Sequence, residues 1–290
     1  MAPLVVVRPP DDHVAYPSAS AFHMHSELSE PKRVALVTGA ANGIGKAIAL
    51  RLAADGFSVA VNDLSSNAGS LSQVVAEIKN LGADALACLA DVSVDDQVRD
   101  MVDKVVAHFP IGRLDVMIAN AGVAKWSSLV NTTAAEWETV MGVNARGTFL
   151  CYKYAAVQMI KQGNGGRIIG AASICAKKGV PSLGAYSASK FAIRGLTQTA
   201  AHELGAHGIT VNAYAPGGID TAMLGLLASG SAAISGGTPE DYFEALKERT
   251  PMGCIGDPTD IANVVSFLVS KESAFITGQS ISVNGGTYFD

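Results

Sequence analysis

From residue 33 to residue 283 the chain repeats one unit, a short apolar run followed by a longer amphipathic stretch. The short runs stand at 34–38, 58–62, 84–87, 116–119, 167–171, 209–214 and 280–283, and they are mostly apolar from end to end. A run without polar alternation is covered on both faces, as a parallel strand inside an α/β sheet is. The longer stretches, at 43–55, 68–81, 94–108, 134–161, 185–206 and 258–270, carry helical patterning. Strand–helix alternation joined by right-handed crossovers predicts an α/β fold, with a doubly wound seven-stranded parallel sheet and helices on both faces. The whole of 32–290 reads as one domain with no internal linker.

One segment breaks the rhythm. Residues 219–250 interpose a Gly/Ser/Ala-rich stretch and an acidic helix between two elements. An insertion after the carboxyl end of a strand is where substrate lids sit in such sheets. Residues 1–31 read as a polar N-terminal extension rich in Pro, Ser and His, with Met24 available as an alternative start. The opening apolar stretch is too short for a signal peptide.

Composition removes several classes of function. With a net charge of −5 and no basic block, the chain lacks the positive footprint that nucleic acid requires. No apolar run reaches the roughly 18 residues of a membrane span. The four cysteines, Cys88, Cys151, Cys175 and Cys254, are far apart and read as reduced thiols of a cytoplasmic protein. Neither they nor the six histidines show metal-ligand spacing.

Two motifs carry chemistry. TGAANGIG (38–45) follows the first strand and opens the first helix, with Gly39, Gly43 and Gly45 spaced G-x-x-x-G-x-G. A glycine turn there lets the backbone approach a pyrophosphate at the positive end of a helix. Asp63 ends the second strand 18 residues after Gly45, where a carboxylate can bind a ribose 2′-hydroxyl. It would repel a 2′-phosphate, and no Arg or Lys stands beside it in LSSN (64–67), so NAD is expected over NADP. Further on, YSASK (186–190) places Tyr186 and Lys190 four apart on one helical face.

With TGAANGIG, NAG (120–122), a lone Asn144, Ser173 and YSASK in this order, residues 33–290 resemble the short-chain dehydrogenase/reductase family. The resemblance implies a Rossmann fold and a catalytic set of Asn144, Ser173, Tyr186 and Lys190. By the same resemblance Asp91 contacts adenine, and Asn120, Ala121 and Gly122 form the turn beside the cofactor. Pro216, Gly217 and Thr221 would clasp the nicotinamide carboxamide, and Asn42, Ile44, Leu64, Val92 and Ile219 would add cofactor contacts. Asn144 would hold a proton-relay water and interrupt helix 134–161. One position departs from the pattern: Ala119 stands where the family has a first asparagine, which implies one hydrogen bond lost. The family also implies a homotetramer packed through helices 134–161 and 185–206.

The chemistry implied is the interconversion of a secondary alcohol and a ketone. A phenol with a pKa of about 10 needs help to act as a base, and lowering it to about 7 takes roughly 4 kcal/mol. Lys190 and an oxidised nicotinamide would supply that as nearby positive charge, while Ser173 would hold the substrate oxygen. In detail the sequence from YSASK onward is similar to acetoin and diacetyl reductases, the 2,3-butanediol dehydrogenases. The expected pocket lining, 175–183 and 222–227, is mostly small or apolar. It suits a bulky terpenoid, steroid or polyketide alcohol equally. A 3-oxoacyl reductase and a non-catalytic dinucleotide sensor complete the alternatives.

Overall fold

The computed structural model describes residues 32–290, which form one unit. The expected extension at 1–31 lies outside the described residues. Seven strands make one sheet: β1 (Val34–Thr38), β2 (Ser58–Asp63), β3 (Ala85–Leu89), β4 (Val116–Ala119), β5 (Gly166–Ala171), β6 (Ile209–Pro216) and β7 (Ser280–Val283). Their order is β3-β2-β1-β4-β5-β6-β7, and every pairing is parallel.

Helices cover both faces because strand residues alternate between them. Ala35 and Val37 of β1 face one layer, where they meet Ile48 and Leu52 of α1 (Gly43–Ala54) and Leu71 and Val74 of α2 (Ala68–Asn80). Val34 and Leu36 face the other layer, which contains Val98 and Val102 of α3 (Asp95–His108).

The predicted helix 134–161 is three pieces. α4 (Ala134–Val140) opens with a capping box between Thr133 and Glu136. A wider π turn follows at Met141–Arg146, and then α5 (Gly147–Gln162). The π turn contains Asn144, the residue expected to interrupt the helix. α6 (Gly184–Leu204) carries Tyr186 and Lys190.

The insertion differs from its sequence reading, because its Gly/Ser/Ala-rich half is itself a helix. α7 (Ala222–Ser235) is capped by the Thr221 side chain and closed by Gly236 in the left-handed conformation. Its alanines and leucines are strong helix formers and outweigh Gly225 and Gly230. α8 (Pro239–Arg249) begins with a capping box between Thr238 and Asp241, and α9 (Pro258–Val269) returns to pack on α1. Among the described residues no helix is long and apolar enough to cross a membrane.

Candidate active site

The strand order reverses between β1 and β4, and open α/β sheets bind ligands at the carboxyl ends of strands at such a reversal. A cavity of about 530 Å³ lies there.

One half is built from the turns after β1, β2, β3 and β4. Gly39 has φ +63°, and a Cβ on it would stand 2.8 Å from Ala121 Cα. A Cβ on Gly45 would stand 2.2 Å from the Gly39 carbonyl oxygen. Both positions exclude a side chain, so the turn lies flat against the NAG segment. Thr38 Oγ1 accepts the backbone N–H groups of Asn120 (3.0 Å) and Ala121 (3.1 Å). The Asn120 amide donates to the carbonyls of Thr38 (2.8 Å) and Gly39 (3.0 Å) and accepts from the Tyr214 hydroxyl (2.7 Å). Asn120 alone therefore joins both turns to β6, although Ala119 offers no amide.

Asn42 makes no side-chain cap on α1, so its first-turn N–H groups have no side-chain partner there. Gly43 and Ile44 line the cavity beside it. The Asp63 carboxylate accepts from the N–H groups of Ala41 (3.0 Å) and Leu64 (2.8 Å) and from the Asn67 amide (2.8 Å). These bonds aim it across the phosphate turn. Leu64, Asn67, Asp91 and Val92 complete that end of the cavity, which contains no Lys or Arg. Asp91 is oriented by Ser93, whose N–H (2.8 Å) and hydroxyl (2.7 Å) donate to one carboxylate oxygen.

These residues fit a dinucleotide: a cradle that a single Cβ would fill, a helix start for the pyrophosphate and a carboxylate for the ribose. Opposite them, Pro216, Gly217, Ile219 and Thr221 line the cavity where β6 runs into α7.

The other half holds Ser173, Tyr186 and Lys190, three of the residues expected to be catalytic. Ser173 is buried after β5, and its hydroxyl accepts the Cys175 N–H at 3.1 Å. Tyr186 and Lys190 line the same cavity, with the Lys190 ammonium 5.3 Å from the Tyr186 ring centre. Lys190 is buried and donates to the Ala171 carbonyl at 2.6 Å. Burial pushes its ammonium down to about 8.

Burial also pushes the Tyr186 phenol up; Cys175 adds to this and the Ser173 hydroxyl opposes it. The sequence reading expected the opposite direction from Lys190. In the protein's own field the desolvation of phenolate dominates, so the chain by itself favours the neutral phenol.

Asn144 is placed differently from its predicted partners, since it is fully buried behind the cavity wall. Its amide accepts the Val123 N–H (2.8 Å) and donates to the Val123 carbonyl (2.9 Å) and to Ser189 Oγ (3.0 Å). The side chain therefore clamps the loop after Gly122 to α6, and these partners already engage both of its polar ends.

A family model described as enoyl-(acyl carrier protein) reductase matches residues 39–288. A short-chain dehydrogenase/reductase of Armillaria gallica is 52% identical over 259 residues, covering 89% of this chain and 97% of that protein. The chain belongs to the short-chain dehydrogenase/reductase family. The 3-oxoacyl-[acyl-carrier-protein] reductase FabG of Staphylococcus epidermidis is 42% identical over 254 residues, covering 88% of this chain and 98% of its own. Among solved structures, the acetoin dehydrogenase YohF of Salmonella typhimurium is similar, with a TM-score of 0.77 and 33% identity, covering 88% of this chain and 96% of that one. Members of the family use nicotinamide dinucleotides, the cofactor class that the cradle fits.

Within this family fold the cavity has walls that the sequence reading missed. Cys175, Leu183, Met223, Leu224 and Leu227 line it as expected, and Val123, Trp126, Tyr242, Leu246, Arg249 and Thr287 join them. Trp126 meets Tyr242 edge-on, with ring centres 5.8 Å apart. The Ser127 N–H donates to the Ser182 carbonyl at 2.8 Å, and Ser182 holds φ +62°, rare for a residue with a side chain. A signal for α8 was present: Tyr242, Leu246 and Arg249 are spaced i, i+4, i+7 and share one helical face.

Proposed function

We propose that this protein is an NAD(H)-dependent oxidoreductase that interconverts a secondary alcohol and a ketone. The observation that carries the reading is the meeting of Ser173, Tyr186 and Lys190 in one cavity with the glycine cradle and Asp63. The dinucleotide, when bound, supplies the hydride acceptor or donor. Gly39, Asn42, Gly43, Ile44 and Gly45 would hold its pyrophosphate. Asp63 and Leu64 would take the adenosine ribose, Asp91 and Val92 the adenine side, and Asn120, Ala121 and Gly122 the turn beside them. Pro216, Gly217, Ile219 and Thr221 would flank the nicotinamide. With no cation near Asp63, NAD is favoured over NADP.

Ser173 holds the substrate oxygen, and Tyr186 transfers a proton to or from it. Burial favours the neutral phenol, which donates its proton to the developing alkoxide when a ketone is reduced and takes one back in the reverse reaction. Lys190, tied to Ala171, orients and charges the helical face behind it. Asn144 holds the Gly122–Val123 turn against α6.

The lining favours a bulky apolar alcohol or ketone, since Trp126, Leu183, Leu227, Tyr242 and Leu246 surround the substrate end. A four-carbon acetoin or diol substrate is the second reading, supported by the likeness to acetoin dehydrogenase. A homotetramer is supported by an apolar stripe on α5, where Phe149, Val157 and Ile160 are exposed, and by Phe191 on α6.

Purified full chain, given a panel of bulky and small ketones with NADH or NADPH, should oxidise NADH at least tenfold more efficiently, by kcat/KM. Its mass by light scattering should be that of four chains. NADPH preference would remove the role given to Asp63, and absence of turnover across the panel would remove the enzymatic reading.

A further inference from the structure

The cavity is electrically uneven. Asp63 and Asp91 line its adenosine end, while Lys178 and Arg249 line the substrate end. Lys178 follows directly on Lys177, whose ammonium is buried and satisfied by the carbonyl of Ser280 (2.7 Å), the hydroxyl of Ser282 (2.7 Å) and the carboxylate of Asp290. Lys178 has no such set, and its ammonium lies 5.3 Å from the centre of the Tyr288 ring.

Arg249 closes the cavity-facing side of α8 below Tyr242 and Leu246. On the same helix Lys247 pairs with Glu244 at 2.8 Å. Among the described residues neither Lys178 nor Arg249 forms an ion pair. Both nevertheless act on the cavity. Burial pushes the Cys175 thiol up, and the Ser173 and Ser187 hydroxyls, Lys190 and, least, Lys178 counter it; burial and Cys175 push the Tyr242 phenol up and Arg249 counters them.

Two uncompensated cations beside an apolar wall attract an anion, and a planar guanidinium matches a carboxylate in particular. We propose that the substrate carries a carboxylate on its apolar body, seated by Lys178 and Arg249 while its carbonyl meets Ser173 and Tyr186. This deepens the oxidoreductase reading and rests on it. The reaction would then act on an oxo-acid or hydroxy-acid, with the carboxylate setting which face of the carbonyl is presented.

The test uses the full-length enzyme turning over a neutral ketone, with cyclohexanecarboxylate and its methyl ester as inhibitors competing with that ketone. The carboxylate should inhibit at least tenfold more strongly than the ester. Added salt should weaken the carboxylate alone. The Lys178→Gln/Arg249→Gln double variant should lose the difference, and each single variant part of it. Equal inhibition by acid and ester, absence of inhibition included, overturns the proposal. So does a preference that survives in the variants. An enzyme that turns over no ketone at all fails at the oxidoreductase reading instead, which separates the two outcomes.

Discussion

At the scale of single residues, Tyr186 and Lys190 show how one pair meets opposing requirements. Lys190 has to stay beside Tyr186, yet its site removes the ammonium from water and lowers its pKa from 10.5 to about 8. Below pH 8 both folded and unfolded lysines are charged, and the native state carries the full burial penalty. Between pH 8 and 10.5 the native lysine loses its proton first, so stability gained from this group rises with pH. In Lys190→Met that contribution is gone. Relative to the variant, the parent should therefore gain about 3 kcal/mol from below pH 8 to above pH 10.5. Urea unfolding of both proteins across that range checks it, and a pH-independent difference would contradict the burial assigned to Lys190.

The pairing itself was legible in YSASK and in the 13-residue spacing from Ser173. The upward shift of the phenol was not, because it depends on burial and on Cys175, Ser173 and Tyr242, which only the fold brings to it. For Asn144 the sequence marked the interruption of the helix, and only the folded loop after Gly122 reveals what its amide holds.

At the scale of elements, α7, α8 and the segment at Trp126 pack against one another. Trp126 leans on Tyr242 of α8 and also on α7, where a Cβ at Gly230 would come within 2.7 Å of Trp126 Cβ. Gly230 is what allows α7 to close on the indole. Gly230→Val should push α7 off Trp126 and lower kcat/KM for ketone reduction by about tenfold or more. NADH affinity should change less than kcat/KM, since Thr221, the α7 N-cap residue beside Gly43 of the cradle, is held by its own cap to Leu224 at the other end of the helix. A variant with unchanged kcat/KM would show that α7 does not shape the substrate end.

The strands, their order of appearance and the acidic helix α8 could be read from the pattern of the sequence. α7 could not, since its glycines and serines resemble a loop until Thr221 and Gly236 are seen to cap it. Within 134–161 periodicity alone does not show the π turn, since apolar spacing barely changes when one turn widens; the family resemblance at Asn144 is what marks the break.

At the scale of the whole molecule, the seven-stranded order places the turns after β1, β2, β3 and β4 and the loops after β5 and β6 around one cavity. Residues from 39 to 287 converge there because the strand order reverses between β1 and β4. The sequence motifs named the fold and most of the cavity floor. The aromatic and cationic roof, Trp126, Tyr242, Lys178 and Arg249, comes from segments with no motif, and the chain's path alone brings them together. On the proposed function, this cavity works through Tyr186 as its proton-transfer group. The most direct test is Tyr186→Phe in the full chain, measuring NADH binding by nicotinamide fluorescence and ketone turnover side by side. NADH affinity should stay within about twofold while turnover falls at least about a hundredfold; a variant that binds NADH and keeps most of its turnover would contradict the account.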